Sequence, residues 1–400
     1  MMLELEQGII CLQNNLLKQT AYESVPLQAA LHRVLATMII APRDVPPFNR
    51  SAMDGYAVCA DDIMTASHTS PVSLKVIDCV LAGQSSQVVA QPQSAVQIMT
   101  GAPLPSGYDT VVKQEEIHLK KPNQILISKT YSPFQNVSKR GEDIRQGIVI
   151  FKAYEILDAV AIGILASLGI SEVLVLKRLR VGLIVTGSEI QTTDDSLQAG
   201  QIYDSNYALL SARLQELHVD VVASLQCLDE PEHVTSFIKQ HHQDVDLFLS
   251  TGGVSVGLKD IMHDVVSELT AHRLFWRLNI QPGTPVLASV FENTLILSLS
   301  GQPAACYITF ELLFRPLLSH FLHNDTLNVT CCKANLQTPY DKISTKRRFL
   351  RASFHRLDVE IAPFLHASSI LSSCHTCNAL VEIPAHTHVH TGDVVTVWLL

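Results

Sequence analysis

From about residue 174 to 322, short β-branched runs alternate with helical patterns, and this alternation limits the fold more than anything else in the chain. Residues 181–185, 219–225, 247–249, 275–280, 286–290 and 295–297 read as strands. Helical patterns lie near 206–217, 232–240 and 261–269, and a long one over 303–322 closes the zone. Strands apolar on both faces and separated by helices predict an α/β domain with a parallel sheet covered on two sides. Such sheets bind ligands at the carboxyl ends of their strands, in the loops that lead to helices.

Three other zones frame this one. Residues 1–45 carry two helical patterns, the second opening at Ser24-Val25-Pro26, where serine suits a cap and proline a first helical position. Residues 46–140 hold short β-branched runs at 72–80, 110–113 and 124–127, separated by Gly, Pro and Asn, which predicts a small β-domain. Helix returns over 141–173, so that 1–45 plus 141–173 are expected to form a helical linker domain into which the β-domain is inserted. The apolar stretch 156–176 is broken by Asp158, Gly163, Gly169 and Glu172, and reads as a helix ending at Gly169 followed by a strand rather than a membrane span. Residues 323–400 show only short strands, including a period-two run over 394–399, and predict a small β-barrel or sandwich.

Composition narrows the function classes. A formal charge of −9 without a basic stripe argues against nucleic-acid binding. Nine cysteines, an odd number in no regular framework, fit a reduced intracellular chain, and the acidic N-terminal stretch lacks a signal-peptide layout. The expectation is a cytoplasmic protein without membrane partners.

Three strand-ending loops carry candidate chemistry. Val185-Thr-Gly187-Ser-Glu189 is a glycine turn with a carboxylate. Leu249-Ser-Thr-Gly252-Gly253-Val-Ser255-Val-Gly257, with Asp260 beyond it, can turn backbone N–H groups toward an anion. Leu299-Ser-Gly301-Gln-Pro303 delivers the start of the last long helix to the same sheet edge, where a negative ligand is favoured. None matches G-x-G-x-x-G or the P-loop, so the residues alone predict a phosphate-bearing anionic ligand without naming it. Outside the α/β zone, Asp54, Thr100 and Asp143 stand in polar loops. Cys374-His-Thr-Cys377 has no second pair at zinc-ribbon spacing, and Lys346-Arg-Arg348 reads as a solvated basic run.

These loops together carry a resemblance. The stretches NRSAMDGYAV, IMTGAPLP, RGEDI, VTGSEI, IYDSN, STGGVSVG, IQPGTP and LSGQP occur in the order of the molybdopterin molybdenumtransferase family, which includes bacterial MoeA and the gephyrin E-domain. The tail, with His366-Ala-Ser368 and GDVVTVWLL, is similar to that family's C-terminal domain. The resemblance implies four domains, a homodimer whose cleft uses the α/β domain of one subunit and the inserted β-domain of the other, and the insertion of molybdate into adenylated molybdopterin with release of AMP. It also implies a molybdopterin-adenylating protein and molybdoenzyme chaperones as partners. Carried over residue by residue, Asp54, Thr100, Asp143, Glu189, Asp229 and Asp260 fall on catalytic positions, with Glu189 and Asp260 toward Mg²⁺. Gly187, Gly252, Gly253, Ser255, Gln281, Gly301, Pro303 and Ser368 fall on ligand-binding positions.

The chain departs from the family at Leu258, Gln281, Thr284, Ser300 and Gln302. Gln281 stands where the family has a lysine, and a neutral amide does not replace a cation facing an oxyanion. An alternative follows: a pterin-binding paralogue or scaffold with impaired turnover, in which Gln281→Lys restores molybdate use. Arg277, four residues earlier on a regularly pleated strand, would share a face with Asn279 and Gln281 and compensate in part.

Overall fold

Residues 2–254, 260–363 and 366–400 are described in a computed structural model, so Ser255 and Leu258 lie outside the described residues. The chain forms two units, one from Ser24–Leu174 and the other from Met1–Glu23 with Val175–Leu400.

In the first unit a six-stranded sheet runs in the order Thr110–Lys113, Gly55–Val58, Ser94–Ile98, Val72–Val80, Gln124–Ile127, Ile117–Lys121. Its faces bury two apolar clusters, one around Ile63, Leu74 and Ile125 and one around Val96, Ile98 and Val111. Around it, segment 24–45 lies along 141–173, with Ile39–Ile40 paired to Val149–Phe151. Helix Ala159–Ser167 is capped by Asp158, whose carboxylate accepts from the Ala161 N–H at 2.7 Å, and Gly169 ends it with φ +73°. The second helix expected at Ser24–Pro26 is absent. Tyr22–Pro26 is a strand followed by a single 3₁₀ turn, Leu27–Ala29. There the Leu27 N–H donates to the Ser171 carbonyl at 2.8 Å and Ser24 Oγ to Glu172 at 3.0 Å, so tertiary pairing outweighs the local cap signal. The helix of the 141–173 zone is likewise confined to Ala159–Ser167.

The second unit opens with α1 (Leu5–Gln13) and continues through β1 (Arg180–Thr186), α2 (Ser205–Glu216), β2 (Asp220–Cys227), α3 (Pro231–His241), β3 (Leu247–Thr251) and α4 (Met262–Glu268). Then come β4 (His272–Trp276), β5 (Leu287–Phe291), β6 (Thr294–Leu299) and α5 (Pro303–Phe321). The sheet order is β2-β1-β3-β6-β5-β4, with β2, β1, β3 and β6 parallel and an antiparallel pair at one edge. Strands β3 and β6 are buried throughout, as strands covered on both faces must be. One side packs against α5 and α1, burying Leu5, Leu12, Phe310 and Phe314, and the other packs against α3 and α4 around Ile238, Phe248 and Met262.

The last strands are β7 (Thr330–Leu336), β8 (Arg347–His355), β9 (Asp358–Ile361), β10 (Ala379–Ile383) and β11 (Val394–Leu399). They pair β8-β9-β7-β11-β10, and β10 pairs back to β8, closing a five-stranded barrel without free edges. The continuous strand expected over 275–280 is broken, because Arg277 takes φ +79° and stacks on Trp276 at 4.1 Å. Arg277 therefore does not pleat onto the face of Gln281. A short strand, Ile280–Gln281, resumes beyond the break and pairs in parallel with the start of β8.

Candidate functional site

The loops after β1, β2, β3 and β6 open into one cleft of about 1280 Å³, which the barrel segments 340–348 and 366–369 also line. All the described candidates of the second unit lie on it: Gly187, Glu189, Asp229, Gly252, Gly253, Asp260, Gln281, Gly301, Pro303 and Ser368.

Close backbone approach holds its floor. Gly252 has φ +100°, and a Cβ there would lie 2.2 Å from the Thr186 carbonyl oxygen, so only glycine lets the β1 and β3 loops meet. A Cβ at Gly301 would in turn lie 3.3 Å from Gly252 Cα. Asn206, in the first turn of α2, ties these loops together by donating through Nδ2 to Thr251 Oγ1 at 3.0 Å and to the Gly301 carbonyl at 2.8 Å. Its Oδ1 is buried without a hydrogen-bond partner among the described residues, as is Thr186 Oγ1. Buried polar atoms of this kind are satisfied when a ligand or ordered water completes them.

The carboxylates come from the sheet side. Asp229 accepts from the Ser188 N–H at 3.0 Å and from Ser188 Oγ at 3.1 Å, which fixes the β1 and β2 loops to each other. Asp204 also lines the cleft but is spent as the cap of α2, accepting from the Tyr207 N–H at 2.9 Å and Gln226 Nε2 at 2.7 Å. Glu189 and Asp260 also line the cleft. Among the described residues no three His, Cys, Asp or Glu side chains converge as a metal cage. A hard divalent ion that brings phosphate oxygens and water needs only one or two carboxylates, and these two fit it.

The start of α5 differs from its expected role as an open anion site. The N–H groups of Ala304 and Ala305 both donate to the Ser368 carbonyl, at 2.9 and 3.1 Å. The barrel loop thus satisfies the donors a ligand would have used. Buried Arg351 holds the same loop by donating from Nη2 to the Ala367 carbonyl at 3.3 Å.

The basic run also differs from expectation. Arg347 is ion-paired to Glu6 at 2.6 Å and Glu382 at 2.8 Å, and Arg348 is only 5% exposed, opposite Gln281 in the strand register. The barrel fold, invisible in a three-residue window, turns Arg348 inward. Arg348 and Lys342 line the cleft, while Lys346 Nζ donates to Thr284 Oγ1 at 2.9 Å on its wall. With Asn206, Thr186 and His366, these are site residues that sequence reasoning missed. The quoted IYDSN stretch was the available signal for Asn206. Cys374 and Cys377 sit at a helical turn, Ser372–His375, with Cys377 Sγ donating to the Ser373 carbonyl at 3.1 Å.

In the first unit the structure brings Asp54 and Thr100 together. Asp54 Oδ1 accepts from both the Thr100 N–H and its Oγ1 at 2.7 Å, and the N–H holds the carboxyl below its ordinary pKa. Asp143 is exposed on a separate loop, beside the bridge between Val45 and Ile144.

Comparison with known proteins covers nearly the whole chain. Residues 3–169 match the MoeA N-terminal region (domain I and II), 182–320 a probable molybdopterin binding domain, and 333–400 the MoeA C-terminal region (domain IV). A molybdopterin molybdenumtransferase of Bacillus subtilis (strain 168) is 33% identical over 96% of this chain and 91% of its own. One from Haemophilus influenzae is 37% identical over 80% of this chain and 77% of its own. A crystal structure of a molybdopterin biosynthesis MoeA protein from Pyrococcus horikosii superposes with a TM-score of 0.85 at 30% identity, covering 100% of this chain and 99% of that one.

Proposed function

Because the chain belongs to the MoeA family of molybdopterin molybdenumtransferases, we propose that its cleft binds adenylated molybdopterin and molybdate, releases AMP and yields the molybdenum-loaded pterin. It is an enzyme of molybdenum-cofactor biosynthesis, with molybdopterin and molybdate as its substrates.

The observation that carries the finer reading is the single cleft joining the strand-end loops of the molybdopterin-binding domain to the Ser368 loop of the barrel, with buried unsatisfied atoms on its floor. Phosphoanhydride cleavage needs positioning and charge neutralisation more than a protein nucleophile, which agrees with this residue set. Water supplies the oxygen that replaces the bridging phosphate oxygen, and the two phosphates part as AMP and molybdopterin. Glu189 and Asp260 would hold a Mg²⁺ ion on those phosphates, where it would offset their charge. Asp229 keeps the two loops in place. We further propose a cytoplasmic homodimer that receives its substrate from a molybdopterin-adenylating protein and passes product to molybdoenzyme chaperones.

The test supplies purified protein with adenylated molybdopterin, molybdate and Mg²⁺, and follows AMP release and reconstitution of an apo-molybdoenzyme. AMP and active cofactor should appear only when molybdate is present. Binding of the pterin without either product would overturn the proposal in favour of a scaffold.

A further inference from the structure

Large apolar side chains that border an open cleft are normally turned into the protein behind it. Among the described residues lining this cleft, Ile202 and Tyr203 are the only large apolar side chains left exposed, at 54% and 46%. They belong to a two-stranded parallel pair, Ile190–Gln191 with Ile202–Tyr203, in which Ile190 lies beside Ile202 and Gln191 beside Tyr203. This pair is anchored. The Ile202 N–H donates to the Glu189 carbonyl at 2.9 Å, and the Asp204 N–H to the Gln191 carbonyl at 2.9 Å. Ile190 seats against Gly187, where a Cβ would lie 3.2 Å from its Cγ2. Asp204, the residue after Tyr203, is buried as the cap of α2. An aromatic ring is thus held in the open on a fixed backbone, and adjoining apolar surface left exposed in a cleft marks a ligand contact.

Resting on the function proposed above, we infer that Tyr203, flanked by Ile190 and Ile202, is the stacking platform for the adenine of the nucleotide. A base meets an aromatic ring through its face, a contact that needs no fixed donor or acceptor. Of the two ring systems in adenylated molybdopterin, the pterin carries amide and amino groups along its edge and needs polar partners when it leaves water. The orphan Asn206 Oδ1 and Thr186 Oγ1 on the cleft floor suit that edge, whereas the Tyr203 wall offers apolar faces. The platform also lies where the phosphates require it. Its backbone is hydrogen-bonded to Glu189, the carboxylate assigned above to the phosphates, and a nucleoside 5′-phosphate carries its base one ribose away.

Calorimetric titration of the full chain with AMP, CMP, ribose 5-phosphate and 6-hydroxymethylpterin in Mg²⁺ buffer tests this without turnover. Wild type should bind AMP roughly tenfold more tightly than ribose 5-phosphate, with CMP between them because its ring is smaller. Tyr203→Ala should weaken AMP about tenfold and bring AMP and CMP together, while ribose 5-phosphate and the pterin stay within about twofold of wild type. Tyr203→Phe should keep the AMP affinity, since the face and not the hydroxyl makes the contact. Ile202→Ser, at an equally exposed position, should weaken AMP by roughly threefold. The assignment is overturned if AMP binds no better than ribose 5-phosphate, or if Tyr203→Ala leaves the AMP affinity unchanged. An equal loss of ribose 5-phosphate in Tyr203→Ala marks a structural role, and a loss of the pterin in place of AMP gives the wall to the other ring; either result overturns it. AMP binding that follows the expected pattern, with no cofactor formed from adenylated molybdopterin, would sink the function proposed above and leave the platform standing. Cofactor formation with AMP binding indifferent to Tyr203 would do the reverse.

Discussion

His366 lies in the cleft with Nε2 3.1 Å from the Ala362 carbonyl, and burial together with Arg351 pushes its pKa down to about 4. In the unfolded chain the imidazole titrates near its ordinary 6.5. As pH falls below that value the unfolded chain takes up the proton first, so the neutral imidazole adds stability that is complete above about 6.5 and is lost between there and about 4. His366→Gln should therefore lose less stability than wild type between pH 7 and pH 4.5, read as the shift in urea midpoint. Parallel losses would show that this histidine is not the group responsible. At the same scale, Asp54 and Thr100 were legible as polar loop residues, but their shared hydrogen bonds span 46 positions and need the folded sheet. Arg348 was misread because a basic triplet carries no mark of which member turns inward.

Helix α2 is joined to α5 by an ion pair. Arg213 donates to Glu311 through Nε at 2.6 Å and Nη2 at 3.1 Å, and Glu311 is fully buried, with Arg315 at 3.8 Å as its second cation. Arg213→Met leaves a buried carboxylate with one distant partner and should cost about 3 kcal/mol in chemical denaturation, whereas Arg213→Met with Glu311→Leu should recover much of that loss. A double variant as weak as the single one would show that the cost is lost packing rather than an unpaired charge. The strands and helices of this unit were legible almost throughout, because buried strands and amphipathic helices write different periods into a sequence. The failure at Ser24–Pro26 has the converse cause. A cap residue and a proline are compatible with a helix start, yet the partner strand that claims the segment lies more than 140 residues on, at Glu172.

Residues before Glu23 belong with Val175–Leu400, since Leu5, Leu12 and Leu16 are buried in the core that also holds α5. Among the described residues no helix is long and apolar enough to cross a membrane. If the chain pairs as proposed, light scattering at micromolar concentration should give a particle of about 88 kDa, twice the 44.0 kDa chain. A 44.0 kDa particle that still assembles cofactor would refute the dimer.

The alternation of strand and helix, the order of the glycine-bearing loops and the long shared stretches were enough to determine an α/β domain, the sheet edge on which the cleft opens and its family. Those properties are local or periodic, so a linear reading recovers them. Tertiary structure alone decided which charges face the cleft. The closing of the barrel turned Arg348 toward Gln281, the Ser368 carbonyl took the N–H donors at the start of α5, and the φ of Arg277 removed it from the cleft face. Each of these depends on contacts between segments far apart in the chain, and a side chain's burial and electrostatic partners do not exist until those segments meet.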